Sequence, residues 1–303
     1  MREAQSADQT ESSNASLGVI SPADGSRQGS DFIINNLPSD QLSDGSGSRR
    51  FTFLGSGNST RYALALILLV AVVLRIYGIN WDQGGLFHPD ERAFLSQVYN
   101  LQFPEGDEWS KLTDPQASTL NPGSFNWGSL PHYALKAVQY AVAPYKWMSM
   151  FDLRYAGRAL SAISDLATIF LIFQIGRSVF SARVGLLAAL LSAFAVQQIQ
   201  LSHFFAVDTF MTTFIVGTIY YSIRIAEHGR KRDSVLAGVM FAFAVATKFS
   251  VLPLAVALIL AHLIYATSRK GDRYESDGIG SGSAASRQWT AYQNIVLMGV
   301  VAL

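Results

Sequence analysis

The sequence predicts an all-α polytopic membrane protein. Three observations predict it: half of the 303 residues are hydrophobic, only 15% are charged, and the charges fall between long apolar blocks. A soluble chain of this length interleaves polar and apolar residues to build one or two cores, whereas continuous apolar blocks suit a hydrocarbon solvent. Backbone amides find no water in a bilayer core, so each block is expected as a helix that bonds its own backbone. A formal net charge of +1 gives no global field that would draw in nucleic acid. The chain has no cysteine, which excludes disulfides and thiolate metal sites.

The elements follow in order. Residues 1–60 are rich in Ser, Gly, Asn and Asp, with scattered apolar residues such as Phe32, Ile33 and Ile34. That composition buries too little apolar surface to offset the entropy of ordering, so a disordered tail is expected. It is not a secretory signal, because the first apolar block begins near Tyr62, far from the N-terminus. Residues 61–303 form the expected transmembrane domain. Its blocks are 62–79, 154–175, 184–201, 207–225, 235–249, 252–265 and 294–303, about six to seven spans. Arg75 is expected to snorkel near one end of the first block. Several blocks fall short of the roughly 20 residues that cross a bilayer, so one pair is expected to be kinked or re-entrant. The last block is too short to span, and the sequence reads as lacking a C-terminal part.

Lys and Arg in short loops fix the expected orientation. Arg177 and Arg183 follow the second span, and Arg224, Arg230, Lys231 and Arg232 follow the fourth. Arg269, Lys270, Arg273 and Arg287 follow the sixth, and Arg49 and Arg50 lie in the tail. If the spans alternate, all share one side, the cytoplasm. Segments 80–152, 197–206 and 248–253 then share the outer face. The missing cysteines and short loops suggest a bacterial plasma membrane.

The outer segment 80–152 is the most informative. Gly84, Gly85 and Pro89 break regular structure, and Asp90 with Glu91 opens an expected helix over 91–101. Phe94, Leu95, Val98 and Leu101 recur at helical spacing, so this helix is expected to lie amphipathically on the membrane surface. A polar stretch and a second apolar helix over 131–148 follow. Asp90 has two readings: a general base for sugar transfer, or an acid complementing the helix dipole. Asp208, at the outer end of the fourth span, is either a boundary residue or an acid facing the first loop.

Arg154 and Arg158 share a helix face by their i,i+4 spacing. With Lys248 they could grip a lipid phosphate through charge-assisted bonds, or anchor the interface. Asp165, near mid-depth of the second span, reads as a buried ion-pair partner or as the acid of a proton-coupled transporter. His88, Asp90, Glu91 and Asp208 match no familiar metal-ligand spacing, so no cofactor is expected, although they are the residues that a divalent ion would use.

The ordered motifs resemble one family. They run His88-Pro89-Asp90-Glu91, then Trp127-Gly128-Ser129-Leu130-Pro131-His132-Tyr133, then Arg158-Ala159-Leu160-Ser161-Ala162. Gly176-Arg177-Ser178-Val179-Phe180, Ser202-His203-Phe204-Phe205-Ala206-Val207-Asp208 and Ala246-Thr247-Lys248 complete the series. The chain resembles glycosyltransferase family 39, with its protein O-mannosyltransferases and aminoarabinose transferases of the GT-C fold. The resemblance implies a polyprenyl-phosphate sugar donor, inverting transfer and a cavity at the outer face. It implies a catalytic Asp90 paired with Glu91, a second acid at Asp208 and a basic residue at Lys248. His88, His132, Tyr133 and His203 fall in its motifs and are expected to line the site. The partners it implies are the lipid-linked donor, a lipid, glycan or protein acceptor, and membrane lipid. Ser129 stands where relatives often carry Pro. Two other readings stay open from the residues: a transporter or flippase of a lipid-linked or small polar substrate, and an inactive fragment.

Overall fold

The computed structural model describes residues 57–125, 127–144, 148–268 and 284–302. The chain divides into units Met1–Phe51 and Thr52–Leu303, and all described residues lie in the second. The expected disordered tail falls largely outside the described residues, as do Arg49, Arg50, Arg269, Lys270 and Arg273. Among the described residues every regular element is helical. Helix α1 (Gly57–Ile76) leads through a loop to α2 (Pro89–Asn100), a 3-10 turn (Gly106–Lys111) and α3 (Leu130–Val142). Then come α4 (Met150–Val179), α5 (Ala182–Ala193), α6 (Val196–Ser202), α7 (Val207–His228) and α8 (Lys231–Thr247). A second 3-10 turn (Phe249–Leu254) runs into α9 (Ala255–Thr267), and α10 covers Ala284–Ala302.

The first departure from the sequence expectation is the number of spans. Among the described residues three stretches are long and apolar enough to cross a membrane: Asn58–Ile76, Met150–Val179 and Phe249–Thr267. A fourth arises if α5 and α6, bent by 59° at their junction, count as one. That bend breaks the block 184–201, where a kinked pair was among the expectations. Helix α7 has 22 residues, enough to cross, but buries Thr209, Thr213, Thr218 and Ser222, which lower its apolarity. The hydroxyls of Thr213, Thr218 and Ser222 each donate to the carbonyl one turn earlier, so none is left orphaned in an apolar surround. Helix α8 has only 17 residues. Helix α10 begins at Ala284, well before the apolar block that announced it.

The second departure concerns Arg75. It does not snorkel: it is fully buried and its Nε donates to Asp165 of α4. Its Nη1 also reaches the carbonyls of Ala71 and Ala193, at 3.3 and 3.0 Å. Ala193 ends α5 at the bend, where helix carbonyls lose their partners, so the guanidinium serves as a C-terminal cap. The ion pair expected for Asp165 is thus supplied by α1, and it removes an uncompensated carboxylate from mid-bundle.

Helix α2 is the third departure. Its apolar face does not lie on lipid. Phe94, Leu95 and Val98 are buried against Leu135 of α3, Leu153 of α4 and Phe205, Val207 and Phe210 around the start of α7. The amphipathic pattern was real, but its partner is protein. Elsewhere, α1 packs Ala71 against Ile169 and Phe173 of α4 and Leu186 and Ala189 of α5. The α4–α5 crossing needs two glycines, because a Cβ on Gly176 would sit 2.7 Å from the Gly185 Cα. Helices α8, α9 and α10 close on Ala237, Leu258, Ala261 and Met298.

These contacts set which ends meet. Helices α4 and α7 start at the end that carries α2 and α3, and α8 finishes there. The segments 80–152, 197–206 and 248–253 therefore gather at one end of the bundle, as their expected common side requires. Arg177, Arg183, Arg224 and Arg230 to Arg232 fall at the opposite end.

Candidate functional site

The loop between α1 and α2 is organised by Asp82. Its carboxylate accepts from the Gly84 and Leu86 amides at 3.2 and 3.0 Å, a local turn that the following glycines make possible. Among the described residues, Gln83 and Leu86 are the non-glycine positions held at positive φ, at 48° and 47°. The loop therefore stores backbone strain that these bonds must hold. Asp82 then meets Arg158, which rises from α4 at 0% exposure.

Arg158 is the centre of a buried knot. Its Nε and Nη2 donate to the two Glu91 oxygens at 2.8 and 2.7 Å. Its Nη1 and Nη2 donate to Asp82 at 3.1 and 2.7 Å, and Nη1 also reaches the Ile79 carbonyl at 2.6 Å. All five guanidinium N–H groups are thereby used. The expectation that Arg158 grips a phosphate is corrected here: no donor remains for one. Glu91, expected to act beside Asp90, is likewise committed. Both its oxygens serve Arg158, and one also accepts the Phe205 amide at 3.0 Å. It ties α2 to α4 and to the segment entering α7. Asp82 was the residue sequence reasoning missed. The signal was an acid two residues before Gly84-Gly85, where a side chain can cap its own turn.

Asp90 sits one residue before this knot, in the first turn of α2. It is half-buried, and among the described residues it makes no hydrogen bond or ion pair. Its backbone position is fixed by neighbours on both sides, Glu91 through Arg158 and His88 through the cap. His88 Nδ1 accepts the Glu91 amide at 3.4 Å, and its ring lies 4.4 Å from that of Phe204. Phe204 and Phe205 lead directly into α7, whose first turn carries Asp208. Asp208 lies 3.7 Å from Lys248 Nζ, both partly exposed. The sequence expectations gave Asp208 and Lys248 separate roles, an acid facing the first loop and a base gripping phosphate; their pairing is seen only in the structure. Gly128 docks the start of α3 beside it: its amide donates to Thr247 at 2.9 Å, and a Cβ would come within 1.9 Å of the Ala246 carbonyl.

The remaining expected residues separate. Arg154 is buried among Phe151, Asn80 and Tyr155, with bonds of 2.8 Å to each. Among the described residues it has no carboxylate partner, and its Nε makes no hydrogen bond. It keeps the capacity for an anion that Arg158 lacks. His132 does not line the site: it is buried, bonded through Nε2 to Gln97 at 2.7 Å and stacked on Phe94 at 4.3 Å. His203 is a clasp, with its ring nitrogens 2.7 and 2.9 Å from the carbonyls of Ile199 and Tyr77. Tyr133 donates to the Leu120 carbonyl at 3.0 Å, on the polar connection before α3. Among the described residues no three His, Asp and Glu side chains converge on a metal position, and Glu91 has no oxygen to spare for one.

Acidification should unfold the layer formed by α2 and α3 in two stages. Burial pushes His132 down from 6.5 to about 4, so the unfolded chain takes up that proton first. Stability then falls between about pH 6.5 and 4, by about 3 kcal/mol. Arg158 holds Asp82 down from 3.8 to about 2, and about 2 kcal/mol more is lost below pH 4 as that carboxylate is protonated. Thermal melts in detergent across this range check the order. His132→Gln should remove the upper stage alone.

The described residues form an all-α bundle with membrane-length helices and with acidic and basic side chains gathered at one end. Residues 149–274 match the family described as dolichyl-phosphate-mannose-protein mannosyltransferase. The match runs from the cap of α4 past α9, and it includes Arg154, Arg158, Asp208 and Lys248. The resemblance drawn from the motifs holds over this segment. No curated protein matches the chain.

Proposed function

We propose that the chain transfers a sugar, with inversion, from a polyprenyl-phosphate donor to an acceptor hydroxyl, at the end of the bundle that carries α2 and α3. The observation that supports this reading is Asp90: a carboxylate with no partner among the described residues, at the tip of a helix whose next residue is clamped by Arg158. Asp90 takes the proton from the acceptor O–H as that oxygen attacks the anomeric carbon. The bond from that carbon to the phosphate oxygen breaks, and polyprenyl phosphate leaves with the electron pair. Lys248 and Arg154 offset the charge on the leaving phosphate. Asp208 orients Lys248. Glu91, Arg158 and Asp82 position Asp90 without touching substrate.

In this scheme the basic end faces the cytoplasm with the N-terminal tail, the reacting end faces outward, and the membrane is a bacterial plasma membrane. The transporter reading drew on Asp165 as an ionisable residue near mid-depth of its span, and the bond from Arg75 supports the ion-pair reading of that residue. The test is to incubate purified protein with a panel of polyprenyl-phosphate sugars and measure released polyprenyl phosphate. Release with one donor, dependent on an acceptor, is the expected result. No release with any donor and acceptor pair would overturn the proposal.

A further inference from the structure

At the end of the bundle that holds Asp90, the histidines differ in what they have left to offer. His203 uses both ring nitrogens, and His132 is buried with its Nε2 on Gln97. His88 is half-buried, and one nitrogen is spent: Nδ1 accepts the Glu91 amide at 3.4 Å and so caps α2. A backbone amide can only donate, so Nδ1 keeps its lone pair and the neutral ring holds its proton on Nε2. Among the described residues Nε2 has no hydrogen-bond partner, and it is not closed off from the surface. The ring is also held from the side, tilted 31° against Phe204 with centres 4.4 Å apart. Phe204 is braced in turn, edge-on to Trp81 at 5.5 Å, and Trp81 Nε1 donates to the His203 carbonyl at 3.4 Å. His88 is thus an N–H donor with a fixed tautomer and a fixed plane.

We propose that His88 Nε2–H donates to a hydroxyl oxygen of the sugar being transferred and holds that ring beside Asp90, a step that rests on the transferase reading above. The cap by itself asks for less. Ser, Thr, Asp and Asn are the preferred residues at such a position, and each would cap α2 without a second nitrogen. What histidine adds is the donor. The Glu91 amide points out of the helix end, so the ring that accepts from it stands over that end and not on a flank of α2. Two residues of chain span at most about 7 Å, which puts His88 and Asp90 within the reach of one monosaccharide. They are also complementary: an ionised Asp90 only accepts, and Nε2–H only donates. Among the described residues they do not bond each other, so both stay available to one ligand. The phosphate has cations of its own in Lys248 and Arg154, which bond an anion more strongly than a neutral N–H does. The neutral donor therefore falls to the sugar.

Two substitutions separate this role from the cap. Asparagine places an oxygen where Nδ1 lies and nothing at Nε2, whereas glutamine reaches the Nε2 position with an N–H but is not a preferred cap. His88→Asn should therefore melt like wild type in detergent yet lose about tenfold in turnover, the size of one hydrogen bond. His88→Gln should melt lower yet turn over within about threefold of wild type. A histidine that only caps gives the reverse order, with asparagine harmless and glutamine harmful, and that result overturns the proposal. So does any pair in which the glutamine variant is no faster than the asparagine one. Binding is read separately by nitrogen NMR of the full chain in detergent with isotope-labelled histidine, the His88 signals being those lost in His88→Asn. The free protein should show His88 protonated at Nε2. That nitrogen should shift with at least one polyprenyl-phosphate sugar and not with polyprenyl phosphate alone. Equal shifts with both would put the phosphate on His88 and overturn the sugar contact, as would no shift with any donor. A shift in a wild type that releases no polyprenyl phosphate keeps the contact while the transferase reading fails.

Discussion

Arg158→Met is expected to lower stability by about 3–5 kcal/mol, more than any other single replacement at this end of the bundle. The variant would leave Asp82 and Glu91 facing each other inside the protein with no counter-charge, each having lost two bonds from one guanidinium. The loss arises from the stranded acids more than from the missing cation, so adding Asp82→Asn and Glu91→Gln to Arg158→Met should recover part of it. Lysine should not substitute well, because its ammonium cannot serve two carboxylates in one plane. Thermal denaturation in detergent measures each variant. A loss below about 1 kcal/mol for Arg158→Met would mean that the knot is not what fixes α2.

The second expected result is kinetic. Asp90→Asn should reduce turnover by about 10²- to 10⁴-fold, the range for removing a positioned general base. Stability should change by no more than about 1 kcal/mol, since the carboxylate has no partner among the described residues beyond the dipole of its own helix. Arg158→Met and Asp90→Asn therefore part company: the first harms stability and activity together, the second activity alone. Asp208→Asn should fall between them, because it loosens Lys248 without removing the base. Turnover within about threefold of wild type in Asp90→Asn would move the proton acceptor elsewhere.

The membrane class, the expected helix over 91–101 and the gathering of three connections at one end were legible in the residues alone. Each rests on a property that one chain segment carries by itself. Apolar blocks give helices that hide their own backbone, and spacing gives faces. Less legible was what each face meets. Phe94, Leu95 and Val98 gave the apolar stripe of α2 but could not say whether lipid or α3, α4 and α7 would cover it. The hydroxyl run of α7 lowered its apolarity for the same reason, since only packing shows that the hydroxyls face inward.

Residue roles divide in the same way. The sequence by itself determined an α-helical membrane protein with acids and bases available near one end of the bundle, because composition and period are one-dimensional properties. Only the tertiary structure decided that Arg158 is consumed by Asp82 and Glu91, that Arg75 answers Asp165 across 90 residues, and that Asp90 is left without a partner among the described residues. A charge is free or spent according to what lies within about 3 Å of it, and in a bundle those neighbours come from helices far apart in the chain.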